Sequence, residues 1–125
     1  ILIKQYRHAA NEVILELPGG CIETDELPED GIRRELLEET GYSFQAIEKL
    51  STLYANPATG NNKTYCYLAT GGIKVQEQDL DSGEEIEVQL VSLDKLKELL
   101  LDNQFGQALH VSGIFYALMR LNLLK

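Results

Sequence analysis

The chain has 125 residues, 44% of them hydrophobic, and a formal net charge of −9 at pH 7. This length supports a single domain over residues 1–125 with its own hydrophobic core. The excess of acid argues against a nucleic-acid polymer as partner, since nonspecific binding of DNA or RNA requires a basic surface. No stretch approaches the roughly 20 apolar residues of a membrane-spanning helix, so we expect no membrane association.

The N-terminal segment and the two cysteines indicate the cellular compartment in which the protein is expected. No basic segment followed by an apolar run marks secretion, so we expect a cytoplasmic location. The sequence starts at Ile1 within an apolar run and without Met, and we expect natural sequence to precede it. Cys21 and Cys66 lack the spacing of a zinc site or a disulfide framework. We expect both to be free and mostly buried thiols.

Five strands are predicted from alternating or continuous apolar residues. The first two are residues 1–7 and 13–17, joined by a polar turn and followed by a loop at Pro18-Gly19-Gly20. The later strands are predicted at 44–54, 64–69 and 86–91, separated by a loop at 56–62 and an acidic connection at 76–85.

Three helices are predicted. Pro28–Thr40 has a proline suited to its first turn, acids at its positive end and Gly41 as a stop. Leu93–Leu101 has leucines at helical spacing. Residues 107–123 form the third helix, and its apolar residues are expected to pack on the sheet: Leu109, Ile114, Ala117, Leu118 and Leu121. The order of elements predicts an α/β fold, an α/β/α sandwich with a mixed β-sheet between helices.

The segment from Gly20 to Tyr42 contains a dense motif. It fits the pattern G-x5-E-x7-R-E-U-x-E-E-x-G-U, where U is apolar and Tyr42 is the loosest match. A match this complete would arise by chance in about one in ten million chains of this size. On the helix, Glu35, Glu38 and Glu39 are three and four residues apart and so share one face.

Three carboxylates this close repel one another unless a divalent cation or a basic partner neutralises them. Hard oxygen ligands favour Mg2+, with Mn2+ as an alternative. Each glutamate taken alone is more simply a solvated surface acid. The glycines, the arginine and the spacing together favour a metal site.

The motif closely resembles that of the Nudix hydrolases, which cleave nucleoside diphosphates linked to another moiety. The resemblance implies the Nudix fold, and it implies Glu35, Glu38 and Glu39 as metal ligands together with the Gly19 carbonyl. Arg34 would orient a ligand carboxylate, and this makes it part of the catalytic machinery. Glu26 would brace the loop against the helix.

Three shorter segments resemble the ADP-ribose pyrophosphatases and other ADP-sugar hydrolases. They are Gln5-Tyr6-Arg7 with the following LELPGG segment, Pro57 sixteen residues after Gly41, and Gly83-Glu84-Glu85-Ile86-Glu87-Val88. Pro57 is equally well explained as a turn former. The resemblance implies a small-molecule nucleoside diphosphate substrate, best matched by ADP-ribose, with AMP and ribose 5-phosphate as products.

The same resemblance implies further roles. Glu84 is the leading catalytic base, with Glu85 close behind, although solvated charge is the usual explanation of such acids. Arg7 is favoured as a phosphate ligand because its guanidinium fork suits phosphate oxygens. Gly20, Cys21 and Asn56 are expected to contact the ribose end of the substrate.

The sequence departs from the family pattern at several positions. Gly31 stands where alanine is usual, at a local cost of about 1 kcal/mol. Asp25 stands where a glycine often precedes the motif glutamate. The resemblance also implies a homodimer, but the N-terminal sheet that helps to form it is not in this sequence. His8 and His110 belong to no motif and are assigned no role.

Two rival functions are compatible with the sequence. One is a Nudix activity on another NDP-sugar or on a nucleoside triphosphate. The other is a non-catalytic domain that binds a nucleotide metabolite and regulates a partner. Such domains usually lose motif acids, and this chain keeps all of them, so the enzyme is favoured.

Overall fold

The computed structural model describes residues 1–124. All five predicted strands and all three predicted helices are present. In chain order they are β1 (Leu2–Arg7), β2 (Glu12–Glu16), α1 (Pro28–Thr40), β3 (Tyr42–Tyr54), β4 (Lys63–Lys74), β5 (Ile86–Gln89), α2 (Leu93–Leu101) and α3 (Ala108–Arg120). The predicted bounds of α1 and α2 are confirmed.

The strands form two antiparallel sheets. One has the order β2-β1-β5 and the other pairs β3 with β4. Within residues 1–124, the only parallel pairing is an isolated bridge between Leu15 and Phe105. The α/β class is confirmed, but the strands do not form the single mixed sheet that we expected. The acidic connection after β4 returns β5 to β1 instead of extending the β3–β4 ribbon.

Strand β4 is longer than expected because pairing with β3 overrides local composition. The sequence predicts an end at Ala69, since Gly71 and Gly72 are typical of a loop. In the structure Phe44 pairs with Gly72 and Tyr42 with Lys74, so the ribbon continues to the start of β3. This long ribbon supplies one wall of the candidate site.

The main core lies between the three-stranded sheet and the last two helices. Leu2, Phe105, Ile114 and Leu118 are buried together. The leucines of α2 and part of α3 pack around them at helical spacing. The expectation for Leu121 is wrong, since α3 ends at Arg120 and Leu121 is 40% exposed.

Helix α1 is fixed at both ends. Pro28 occupies its first turn, and Gly41 ends it in the left-handed conformation with φ 77°. The Gly41 carbonyl then accepts hydrogen bonds from the N–H groups of Val75 and Gln76. The end of α1 is thereby attached to the acidic connection that leads to β5. No helix described within residues 1–124 has the length and apolar character needed to cross a membrane.

Candidate active site

Arg34 is the hub of the acidic face of α1. Its Nε and Nη2 donate to the two carboxylate oxygens of Glu26 at 2.8 and 3.0 Å. Its Nη1 donates to Glu35 at 2.9 Å and to Glu38 at 3.3 Å. Its Nη2 also donates to the carbonyl of Cys21 at 3.0 Å. One guanidinium therefore orients two predicted metal ligands and joins the preceding loop to the helix.

Glu26 anchors the loop, in keeping with its implied role. Hydrogen bonds from Arg34, and from the N–H of Glu23, lower the pKa of Glu26 to about 2. The departure at Gly31 also has an explanation here, because an alanine Cβ at that position would lie 2.9 Å from Glu26 Oε1. Asp25 has φ 63°, a conformation that glycine adopts without strain. This accounts for the glycine usually found there.

The glycine loop lies directly on the motif glutamates. A Cβ at Gly20 would stand 2.3 Å from the carboxyl carbon of Glu35, so only glycine allows this approach. The Gly19 N–H donates to Glu39 Oε2 at 3.1 Å. The sequence predicts the Gly19 carbonyl as a metal ligand, whereas the contact that the structure shows is made by its amide. Both glycines are thus beside the acids, as expected.

Glu39 is a buried acid among other acids. Its exposed fraction is 5%, and its pKa is raised to about 7, chiefly by burial. The charges of Glu35 and Glu84 contribute to this rise, while the Gly19 N–H and Arg7 oppose it. Burial also raises the pKa of Glu38. Such acids are best stabilised by a cation that neutralises them.

Glu84 reaches this site because the acidic connection is tied to α1. The Gln78 side-chain amide donates to the Glu39 carbonyl at 2.7 Å and to the Ile86 carbonyl at 2.9 Å. The carboxylate of Glu84 accepts from the Asp81 N–H at 2.8 Å and is close enough to raise the pKa of Glu39. Glu85 points out as an exposed side chain. Sequence reasoning missed Gln78, since a lone glutamine carries no signal.

The donor set suits a hard divalent cation, but the acids do not converge on one point. Within residues 1–124, no three acidic, histidine or cysteine side chains form a group that could hold an ion. The reason is visible in the contacts, because Arg34 engages Glu35 and Glu38 while the Gly19 amide engages Glu39. The residues fit a metal by chemistry, by burial and by the glycine loop that covers them.

A cavity of about 640 Å³ opens beside the glycine loop. Its lining includes Arg7, Gly19, Gly20, Cys21 and His110. Two tyrosines of β4, Tyr65 and Tyr67, also line it. The volume and the mixed apolar and polar lining are typical of a small-ligand site.

Two sequence-derived expectations fare differently here. Asn56 is not among the cavity residues, because it closes its own turn by accepting from the Ala58 N–H at 3.2 Å. Asn62, at the other end of the same loop, lines the cavity instead. Cys21 is exposed, so the expectation that it is buried is wrong, and Cys66 is half-buried. The Cys21 backbone is held at the site by Arg34.

Arg7 is engaged by a buried partner that the sequence did not reveal. Its Nε donates to both carboxylate oxygens of Glu16 at 3.2 and 3.1 Å, and its Nη2 donates to Oε1 at 2.6 Å. Glu16 is only 3% exposed, whereas the Arg7 side chain is 47% exposed. Arg7 also lines the cavity, and its Nη1 makes no hydrogen bond to Glu16. In the register of β1 and β2, Arg7 faces Glu12 and Glu16 faces Ile3, so the contact between Arg7 and Glu16 could not be predicted from strand pairing alone.

The fold and the acidic helix under a glycine loop define a candidate diphosphate-hydrolase site. A family model described as NUDIX domain matches residues 1–110. The chain belongs to the Nudix family. This confirms the resemblance inferred from the motif.

Similar proteins agree with the subfamily suggested by the shorter segments. The chain is 31% identical over 117 residues to the ADP-ribose pyrophosphatase of Bacillus subtilis (strain 168), covering 93% of this chain and 63% of that protein. It is 33% identical over 118 residues to the ADP-sugar pyrophosphatase of Mus musculus, covering 90% of this chain and 53% of that protein. The chain thus spans between about half and two-thirds of the length of these curated relatives.

A solved structure supports the fold. The crystal structure of an ADP compounds hydrolase matches with a TM-score of 0.86 over 98% of this chain and 68% of that chain, at 24% sequence identity. At this identity the match shows the fold and not the substrate.

Proposed function

We propose that this protein hydrolyses the diphosphate bond of an ADP-sugar, with ADP-ribose as substrate and AMP and ribose 5-phosphate as products. The observation that carries the proposal is Glu39, a buried acid that accepts a hydrogen bond from the glycine loop and whose pKa is raised by burial and by the charges of Glu35 and Glu84. The names of the Bacillus and mouse relatives support the ADP-sugar class.

Mg2+ is the proposed cofactor, with Mn2+ as an alternative, and Glu35, Glu38 and Glu39 with a Gly19 backbone oxygen would hold it. Such a cation, when bound, withdraws charge from diphosphate oxygens and lowers the pKa of a coordinated water. Arg34 orients Glu35 and Glu38 for this purpose. A loss of that orientation is expected to weaken metal binding by about 10- to 100-fold.

The proton and the substrate are handled by residues of other elements. Glu84 is the proposed base that takes a proton from the attacking water, with Glu85 as the rival base. Arg7 provides positive charge beside the diphosphate, using the guanidinium edge that Glu16 leaves free. The backbone at Gly20 and Cys21, with the loop that begins at Asn56, is proposed to contact the ribose end.

The decisive experiment is side-by-side turnover of ADP-ribose, ADP-glucose, GDP-mannose and NADH with Mg2+, with product identification. Release of AMP and ribose 5-phosphate at catalytic protein concentrations supports the proposal. Preferred turnover of GDP-mannose would reassign the substrate within the family. Absence of turnover on all four, with binding at one-to-one stoichiometry, would replace the enzyme by a metabolite sensor.

A homodimer and a cytoplasmic location stay predictions from the sequence. Sedimentation of the purified chain tests the first, and a fluorescent fusion of the full-length protein tests the second. Neither outcome alters the chemistry proposed for the acidic helix.

A further inference from the structure

His110 is tied to the strand that enters the glycine loop. The backbone N–H of Leu17 donates a hydrogen bond to His110 Nδ1 at 3.1 Å. A backbone N–H can only donate, so Nδ1 must be the acceptor and carries no hydrogen. The neutral ring therefore carries its hydrogen on Nε2. The tautomer is set by the fold and by no assumption about hydrogen placement.

The Nε2 atom of His110 has no protein partner among residues 1–124. Among these residues, the only fully buried side-chain polar atom without a hydrogen-bond partner is Ser51 Oγ. Because Nε2 also lacks a partner but is not fully buried, it is accessible to solvent. His110 lines the cavity beside the glycine loop. His110 is thus a half-buried residue of the cavity lining, and its unpartnered Nε2–H is available to a ligand.

The surroundings keep this donor neutral. Burial lowers the pKa of His110, with Arg7 acting in the same direction and Glu16 in the opposite one. A second proton on the ring would also have to displace the Leu17 N–H from Nδ1. The ring thus donates at Nε2 without adding a charge to that of Arg7.

We propose that His110 is a substrate-binding residue whose Nε2–H donates a hydrogen bond to a non-bridging oxygen of the diphosphate. The inference rests on the proposed function, because it requires a diphosphate in the cavity. It assigns to α3 a direct part in binding, which the motif on α1 does not.

The charges around Arg7 indicate that the diphosphate, and not the sugar, binds beside Arg7 and His110. Hydrogen bonding to Glu16 raises the pKa of Arg7, and the charges of Glu39 and Glu84 raise it further. Arg7 therefore lies within electrostatic reach of the acids proposed to hold the cation. Arg7 and Glu16 also act electrostatically on His110, and Arg7 and His110 both line the cavity.

The two ring nitrogens can be separated by two substitutions. In His110→Asn the side-chain oxygen can take the place of Nδ1 and keep the Leu17 hydrogen bond, but the donor at Nε2 is lost. In His110→Gln the amide can place a donor near Nε2, but the Nδ1 acceptor is lost. His8→Asn applies the same change to the other histidine, which is exposed on the turn after β1 and lies outside the cavity.

The measurements are KM and kcat for ADP-ribose with Mg2+, calorimetric affinity for α,β-methylene ADP-ribose, and the melting temperature. His110→Asn should raise KM and weaken analogue binding about tenfold, with kcat within about twofold and the melting temperature near that of the parent. His110→Gln should recover part of the affinity while melting at a lower temperature. His8→Asn should match the parent in all three.

Parent-like KM and analogue affinity in a folded His110→Asn protein would overturn the inference. So would equal losses in both His110 variants that follow only the melting temperature. If the parent protein fails to hydrolyse ADP-ribose but binds the analogue, the proposed function is lost while the affinity comparison still decides the role of His110. If it neither hydrolyses nor binds, both proposals are overturned.

Discussion

Glu16 and Glu39 are both buried glutamates, and they differ in what neutralises them. Their exposed fractions are 3% and 5%. Glu16 receives three hydrogen-bond contacts from the Arg7 guanidinium. Glu39 accepts from the Gly19 N–H and is close enough to Glu35 and Glu84 for their charges to raise its pKa. Within residues 1–124, no cationic side chain hydrogen-bonds to Glu39.

The comparison teaches how a structural buried charge differs from a functional one. Burying an ion costs several kcal/mol unless a partner offsets the lost hydration. For Glu16 the chain supplies that partner itself. For Glu39 it supplies one backbone amide, while burial and, to a smaller extent, the charges of Glu35 and Glu84 raise the pKa of Glu39. A buried acid that the chain itself does not neutralise indicates a functional site, here one at which a bound cation would neutralise it.

The sharpest way to break this comparison is the pair Glu39→Gln and Glu16→Gln. Glu39→Gln should lower kcat/KM for ADP-ribose about a thousandfold, since cation stabilisation contributes several kcal/mol and each 1.36 kcal/mol is a factor of ten. Metal-free stability should not fall, because an unneutralised buried acid is removed. Glu16→Gln should instead lower stability by weakening the ion pair with Arg7. Steady-state kinetics, Mn2+ titration and chemical unfolding measure the three effects.

The contrast fails if Glu39→Gln keeps its Mn2+ affinity, since the acid would then not be a ligand. It also fails if Glu16→Gln weakens Mn2+ binding as much as Glu39→Gln does. Each result would show that burial alone does not distinguish the two glutamates.

Glu84 and Glu85 extend the comparison to the acid that acts on the proton. Glu84→Gln should lower kcat at least a hundredfold, which is the usual contribution of a general base, with Mn2+ affinity nearly unchanged. Glu85→Gln should lower kcat less, since the Glu85 side chain is exposed and its charge is not among those that shift the pKa of Glu39. Glu77→Gln, in the same connection and 91% exposed at the side chain, is the matched control. Full rate in both the Glu84 and Glu85 variants would place the base among the acids of α1.

Most of the α1 side of the site is predictable from the sequence because helical periodicity is local. Three- and four-residue spacing places Glu35, Glu38 and Glu39 on one face, and the stop at Gly41 sets the end of the helix. The motif with its glycine loop adds the contact between residues 19–20 and those acids.

The other side of the cavity depends on contacts that no local pattern contains. Leu17 and His110 are 93 residues apart in sequence and meet only after α3 packs on the three-stranded sheet. The pairing of Arg7 with Glu16 depends on the register of β1 and β2, in which Arg7 faces Glu12 along the backbone. The role of Gln78 is likewise not predictable from the sequence, because it depends on the contact between the acidic connection and α1.

The Arg7 side can be tested with a single and a double substitution. Arg7→Met should cost about 2 kcal/mol of unfolding free energy, below the range for fully buried pairs because the Arg7 side is half exposed. It should also raise KM for ADP-ribose. Adding Glu16→Leu should recover stability, since no unpaired charge stays buried, but should leave KM high. Urea unfolding and steady-state kinetics provide both readouts.

Recovery of KM in the double variant would contradict a substrate role for Arg7. The arginine would then serve only to neutralise Glu16. In that case Glu16 and Arg7 form a structural pair, and His110 would be the remaining candidate donor on that side of the cavity.

The smallest expected effect concerns Glu26, an acid that the chain neutralises through Arg34. Its folded pKa is lowered from 4.5 to about 2, so its contribution to stability is fully present above pH 4.5 and is lost as the pH falls toward 2. The unfolding free energy of Glu26→Gln should therefore lie below that of the parent at neutral pH and approach it as the pH is lowered to about 3. Glu12→Gln, on the exposed start of β2, should show no such convergence. A constant gap between Glu26→Gln and the parent across this range would mean that packing against Gly31, and not the charge shared with Arg34, is what Glu26 contributes.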